Sequence, residues 1–405
     1  MITKNNQNYP TSYESRKILY HIIMNYAMIE LLYFVIRRNN LKKIHDTIPY
    51  SKRFKLPDFI TEQCPLEKLL FFDIETTGFV AKNTTLYLIG ALYYSEKEIH
   101  ILQWFNDDGK SEKEILDNFL QFTKNFTHLI HYNGSGFDIP YLLQKAQICK
   151  LPFLLTQMQQ IDIYKEIRPF KKILATENLK QVTIERFLTL TRTDTYSGGE
   201  LIPIYQSYLQ TKSASEEEKL LLHNHDDLLG MPQLSVILNY SSFFKNPVIE
   251  GCKIQFSKET SVLELYFTIP DRQALPKRIL FQSNDIFLNI METEGFLSIP
   301  VKNGTLFHFF SDYRNYYYLP NEDMAIHKSV ATYVEPANRI KATRNNCYVK
   351  KTDGFIPCSK EDEALFYLFS NTYNDKQQYI RTTDLLDAPP SLQQQYIIHI
   401  IQGLK

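Results

Sequence analysis

Apolar and polar positions divide the chain into stretches of different texture. Leu69-Leu70-Phe71-Phe72-Asp73-Ile74-Glu75 runs apolar and then alternates, which predicts a short buried strand ended by the turn Thr76-Thr77-Gly78. Residues i and i+2 of a strand face one side, so Asp73 and Glu75 project together while Ile74 points back into the core. Residues 85–94 predict a second strand and the alternating 97–105 a third, joined as a hairpin at Ser95-Glu96. Residues 111–124 place Ile115, Leu116, Phe119, Leu120 and Phe122 at helical spacing, with Ser111 and Glu114 set as a capping box. Residues 127–133 predict a fourth strand, leaving through Gly134-Ser135-Gly136-Phe137-Asp138. There Asp138 can cap the next helix, and Pro140 suits its first turn. Helical patterns follow near 162–171, 178–189 and 200–210.

A longer helix is expected over 214–237. Its apolar residues cluster at 220–222 and 228–229, and five polar residues, His223-Asn224-His225-Asp226-Asp227, interrupt the part that should be buried. On a helix His223 and Asp227 share a face, and Asp226 is rotated about 100° from Asp227. His225 lies about 200° around from His223 and is expected to be dispensable. Past Asn246-Pro247 the texture changes to short alternating runs near 253–256, 262–269, 278–283, 286–293, 296–301 and 305–310, a mostly antiparallel β module. In the tail, Arg314, Lys328, Arg339, Lys341, Arg344, Lys350 and Lys351 interleave with Tyr313, Tyr316, Tyr317, Tyr318, Tyr333 and Tyr348, a composition that can line a single-strand nucleic-acid groove. The expected organisation is an N-terminal helix and linker over 1–66, an α/β domain over 67–244, and an accessory β-rich module with a helical tail over 245–405.

Composition narrows the class. The chain has 405 residues, 44% hydrophobic and 22% charged, the ordinary globular range. Lys+Arg and Asp+Glu are 45 each, so any basic surface must be local. The five cysteines form no CxxC pair and no secretory signal opens the chain, which points to a reducing, cytoplasmic setting. Residues 16–38 read as a helix whose apolar run, Ile18 to Ile36, is long enough to span a bilayer. Glu30 near its middle would cost roughly 2.5–3.5 kcal/mol there, so the expectation is a helix docked on protein and no membrane anchor.

Asp73, Glu75, Asp138 and Asp227 come from three segments, with His223 one turn before the last. Two like charges side by side in an apolar strand repel and cost desolvation energy unless a cation neutralises them. Four carboxylates without a Cys or paired-His pattern suit hard divalent cations, Mg²⁺ or Mn²⁺, rather than zinc. Two such ions about 3.5–4 Å apart can activate a water and stabilise the leaving oxygen in phosphodiester hydrolysis.

Phe72-Asp73-Ile74-Glu75-Thr76-Thr77-Gly78 resembles the first motif of DEDD-type exonucleases on the ribonuclease H-like fold. His131-Tyr132-Asn133-Gly134-Ser135-Gly136-Phe137-Asp138 resembles the second, and His223-Asn224-His225-Asp226-Asp227 the third. The stretch from about 67 to 240 is most similar to the YprB-like bacterial branch. The resemblance implies a mixed sheet in order 3-2-1-4-5 with helices on both faces. It implies that Asp73 bridges two metal ions, that Glu75 and Asp227 complete one site, that Asp138 holds the second, and that His223 orients or deprotonates the attacking water. It further implies 3′→5′ hydrolysis of nucleic acid from a single-stranded 3′ end, DNA repair as the setting, and a helicase as partner. One departure stands out. His-type members place the His five residues before the last Asp, whereas here the gap is four, the spacing of Tyr-type members. An enzyme acting on RNA, an inactive scaffold that binds nucleic acid or protein, and a structure-selective endonuclease are the competing readings.

Overall fold

The computed structural model describes residues 34–38, 41–283 and 285–404. The chain divides into two compact units. One holds the described residues up to Glu166 together with Asn178–Val236, and the other Ile167–Glu177 together with the chain from Ile237 onward.

The first unit is built on a seven-stranded sheet. Its strands are β1 (Phe34–Arg38), β2 (Leu41–Pro49), β3 (Leu69–Thr76), β4 (Leu86–Ser95), β5 (Glu98–Phe105), β6 (His128–His131) and β7 (Gln159–Asp162). The spatial order is β1-β2-β5-β4-β3-β6-β7. The expected order 3-2-1-4-5 is present as β5-β4-β3-β6-β7, with β6 and β7 parallel to β3 and the hairpin strands antiparallel. Two further strands extend the β5 edge. Phe34–Arg38, expected to end a helix, and Leu41–Pro49, expected to belong to a linker, form an antiparallel pair that continues the sheet. The remainder of the 16–38 expectation lies outside the described residues.

Helices cover both faces. On one, α1 (Glu112–Thr123) and α2 (Asp138–Cys149) pack on Leu70, Phe72 and Ile74 of β3 around Trp104 and Phe119. On the other, Leu201, Tyr205 and Tyr208 of α4 (Gly198–Thr211) and Leu220 and Leu221 of α5 (Ala214–Leu234) pack on Tyr87, Leu88 and Phe105, while the short α3 (Gln181–Phe187) lies against α5. The expected capping box of α1 does not form. Asp108 takes the bonds instead, accepting from the backbone N–H of Ser111 at 2.9 Å and from its hydroxyl at 2.9 Å.

Strand alternation puts Asp73 and Glu75 on the α5 face, opposite Phe72 and Ile74. In the sheet register Asp73 faces Gly90, which faces Gln103. Over this row sits Asn224 of α5, fully buried. It receives Gln103 Nε2–H at Oδ1 (2.9 Å) and donates from Nδ2 to Asp73 Oδ2 (2.9 Å). The close approach requires a glycine between them, since a Cβ at Gly90 would lie 2.0 Å from Asn224 Oδ1 and 2.5 Å from Leu228 Cδ1. Gly90→Ala is therefore expected to push α5 off the sheet at a cost of about 1–3 kcal/mol or more, read by urea denaturation. An unchanged midpoint would show that α5 yields freely.

The second unit is antiparallel. A five-stranded sheet, in order β10-β11-β12-β9-β8, comprises β8 (Gly251–Ser257), β9 (Val262–Thr268), β10 (Leu275–Ser283), β11 (Ile286–Glu292) and β12 (Glu294–Pro300). The strands β13 (Lys302–Phe309), β14 (Tyr316–Leu319), β15 (Met324–His327), β16 (Ile340–Lys341), β17 (Tyr348–Cys358) and β18 (Gln378–Arg381) form two three-stranded sheets, and a helix, Pro390–Gly403, ends the unit. No helix of the described residues is long and apolar enough to cross a membrane.

Candidate metal centre

The carboxylates converge where β3 passes under α5. Opposite the step from Glu75 to Thr76, β4 carries one extra residue, Tyr87. Such irregularities re-aim side chains, and here the Tyr87 hydroxyl donates to Glu75 Oε2 at 3.4 Å. On α5, His223 and Asp227 stand one turn apart and face the strand. His223 Nε2 lies 3.6 Å from Glu75 Oε1 and 3.5 Å from Asp227 Oδ2. One donor atom from each of Glu75, His223 and Asp227 lies within 4.8 Å of the other two, a group that can hold a metal ion. Asp138 opens α2 and is buried, and the backbone N–H of Ile74 on β3 favours its charged form. Asp73 keeps a partly accessible edge.

Burial and like charge set the electrostatics of the site. Burial pushes the Glu75 carboxyl up to about 7, with Asp227 adding to the rise and His223 opposing it. Burial likewise raises Asp138 to about 7, helped by Asp162 and Asp227 and opposed by backbone hydrogen bonds. Asp73 is pushed well above the carboxylate range by burial and then by Asp227, Glu75 and Asp138, against the Asn224 amide. Burial pushes the His223 imidazole down, but Glu75, Asp227 and Asp194 outweigh it and leave its pKa raised. A cluster of oxygens whose charged form is disfavoured by burial first and by neighbouring carboxylates next is the donor set a hard divalent cation fits. His223 thus belongs to the same donor group as Glu75 and Asp227, beyond the base role that the sequence resemblance implies.

Several residues here carried no sequence signal. Asp194 Oδ2 lies 2.6 Å from His223 Nδ1. Arg192 Nη1 donates to Asp227 Oδ1 at 2.7 Å and to Glu185 Oε2 at 3.1 Å. Both come from the segment between α3 and α4, which has no periodicity to mark it. Asp226, set aside as a ligand, holds that segment by accepting the N–H groups of Thr193 (2.7 Å) and Asp194 (2.8 Å). Asp162, at the end of β7, accepts from the backbone N–H of Asn133 (3.0 Å) and Ser135 (3.1 Å) and fixes the turn before Asp138. Asn133 takes a left-handed φ of 65° in that turn.

His225 is not a free surface residue. Nε2 lies 3.1 Å from Asp46 Oδ2 of β2, and burial is outweighed by Asp226 and Asp46, which raise the imidazole to about 9. His225→Ala would leave the buried Asp46, among the described residues, only the backbone N–H of Thr47 (2.7 Å) and no cation, and is expected to cost about 3–5 kcal/mol. Thermal denaturation at pH 7 checks this, and a loss below about 1 kcal/mol would mean Asp46 finds other partners.

Residues 70–239 match the family model described as the RNase_H superfamily. The first unit has the ribonuclease H-like fold. The chain is 26% identical over 208 residues to a DNA polymerase of Thermococcus aggregans, covering 47% of this chain and 11% of the polymerase. It is 31% identical over 114 residues to a DNA polymerase of Pyrococcus glycovorans, covering 25% of this chain and 14% of the polymerase. The chain therefore spans a small fraction of the length of the relatives it matches. Among solved structures it is similar to the family B DNA polymerase of Pyrobaculum calidifontis, with a TM-score of 0.37 and 12% identity over 82% of this chain and 44% of that one. Similarity to E. coli Exonuclease I in complex with a dA16 oligonucleotide has a TM-score of 0.24, with 11% identity over 50% of this chain and 54% of that one.

Proposed function

We propose that the chain is a divalent-metal-dependent 3′→5′ exonuclease of the DEDD type that hydrolyses DNA phosphodiesters, with DNA repair as its setting. The observation that carries this reading is the convergence of Glu75, His223 and Asp227 beside Asp73 on a ribonuclease H-like sheet. Asp73, Glu75, Asp138 and Asp227 would hold two ions, Mg²⁺ or Mn²⁺, which when bound supply charge neutralisation and water activation for phosphodiester hydrolysis.

The chain's own groups do the rest. His223 would accept the proton of the attacking water at Nε2, while Asp194 at Nδ1 fixes the ring and its tautomer and stabilises the imidazolium that forms. Asn224 holds the Asp73 carboxylate through Oδ2. Arg192 occupies Oδ1 of Asp227 and leaves Oδ2 facing His223. Phe79, 88% exposed and edge-on to Phe137, follows one carboxylate motif as Phe137 leads into another, and offers a ring against which a terminal base can stack.

Incubation with 5′-labelled DNA and RNA oligonucleotides, with Mn²⁺ or with EDTA, tests the proposal. A DNA ladder shrinking from the 3′ end in Mn²⁺ alone is the expected result. A ladder on RNA only would make it an exoribonuclease, one internal cut an endonuclease, and tight binding without cleavage a scaffold.

A further inference from the structure

The second unit has an open pocket of about 470 Å³ lined by Tyr313, Ala342, Thr343, Arg344, Asn345, Tyr373 and Asn374. Tyr313 opens the 3₁₀ turn before β14, Arg344 sits between β16 and β17, and Tyr373 lies between β17 and β18. Three separate connections therefore meet at one place. The guanidinium carbons of Arg344 and Arg314 lie 5.7 Å and 6.0 Å from the Tyr313 ring centre. These two cations, with Arg314 the stronger, hold the Tyr313 hydroxyl below the usual phenol range. Among the described residues neither guanidinium has a carboxylate in ion-pair contact. The carboxylates nearest in sequence are engaged elsewhere. Asp312 accepts from Asn315 (2.5 Å), and Asp375 accepts from Asn371 and Thr372.

This separates the pocket from Lys350 and Arg339 of the basic tail. Lys350 is paired with Asp323 at 2.7 Å, which also takes the hydroxyls of Tyr318 and Tyr348. Arg339 donates to the Ala331 carbonyl and lies over Tyr317. Two like cations gathered on one half-buried ring, with no carboxylate of the described residues in ion-pair contact with either, mark a place for an external anion. Tyr313 and Tyr373, both half-buried, and the amides of Asn345 and Asn374 favour a ligand that pairs the anion with a planar polar ring.

We propose that this pocket binds single-stranded nucleic acid, with a backbone phosphate on Arg344 of its lining and on Arg314 beside Tyr313, and the adjoining base against Tyr313 and Tyr373. It gives the second unit a grip on the strand that needs no metal ion. The proposal rests on the reading of nucleic acid as substrate, and its test is kept free of cleavage.

The experiment is fluorescence anisotropy of labelled oligothymidine on the full chain in EDTA, titrated over salt. The double variant Arg314→Ala/Arg344→Ala should flatten the log–log salt dependence by roughly 0.7 for each phosphate no longer held. Tyr373→Ala should weaken binding roughly 5- to 100-fold with the slope kept. Arg314→Lys/Arg344→Lys, which guards against loss of folding, should keep most of the slope, and Lys350→Ala should change neither quantity. Wild-type affinity and slope in the double Ala variant would overturn the pocket while leaving the nuclease reading intact. Equal competition by a polyglutamate peptide would make it an acidic-peptide site, and thymidine monophosphate binding as tightly as the oligonucleotide would make it a free-nucleotide site. Either result overturns the strand proposal. Cleavage absent from the wild type, with the pocket variants still weakening binding, would overturn only the nuclease reading.

Discussion

Asp73→Asn is expected to abolish cleavage while leaving the first unit folded and, without metal, more heat-stable at pH 8 than the wild type. Asp73 is raised well above the carboxylate range by burial and then by Asp227, Glu75 and Asp138. An asparagine keeps the oxygen that accepts from Asn224 Nδ2 and removes a charge from the repelling set. The same electrostatics predict how metal-free wild type responds to pH. Glu75 and Asp138 are raised from their ordinary values to about 7 in the folded protein. Their contribution to stability is fully present below about pH 4, where both states are protonated, and is lost as pH rises through about 7. His225, raised to about 9, acts in the same direction, with its contribution present below about 6.5 and lost as pH rises through about 9.

Each carboxylate shift corresponds to about 3–4 kcal/mol at its upper limit. Metal-free protein should therefore lose roughly 5–10 °C of Tm between pH 5 and pH 8. Mg²⁺ should restore it at pH 8 in the wild type and restore less in Asp73→Asn. Cleavage surviving in Asp73→Asn, or a wild-type Tm in EDTA that rises from pH 5 to 8, would remove the basis for a carboxylate metal site.

His223→Ala is expected to lower turnover by about 10²–10⁴-fold, the range for loss of a general base. Nε2 faces Glu75 and Asp227, and Nδ1 is held by Asp194 at 2.6 Å. Without a cation the imidazole is pushed toward its charged form. A divalent ion at the carboxylates adds positive charge and opposes that shift, returning the ring to the neutral form a base needs. Asp194→Asn should lower kcat less than His223→Ala with KM unchanged, because an amide can still orient the ring but cannot stabilise the imidazolium. Calorimetric titration with Mn²⁺ separates the two roles open to His223. A base leaves Mn²⁺ affinity nearly unchanged in His223→Ala, whereas a ligand lowers it together with activity. Near-wild-type turnover in His223→Ala would end the base assignment.

Local sequence pattern is enough to specify the strand that carries Asp73 and Glu75, the hairpin after it, the helix that brings His223 and Asp227 to one face, and the β-rich second unit. Each follows from a local rule: period-2 alternation, helical i,i+4 spacing, and turn residues between short alternating runs. Tertiary packing settles what is buried against the grain of that pattern. Leu41–Pro49 reads as a basic linker from Lys42 and Lys43, yet it is a strand of the sheet, and its buried Asp46 meets His225 of α5. Of the five polar residues that interrupt α5, three are buried: Asn224 against Gln103 and Asp73, His223 against Asp194, and His225 against Asp46. Arg192 and Asp194 lie in an aperiodic segment and gain their roles only where Asp226 pins that segment to α5. A buried polar group is tolerated only with a partner. These partners lie far away along the chain, so periodicity, which compares neighbours, marks where the carboxylates stand but not what holds them there.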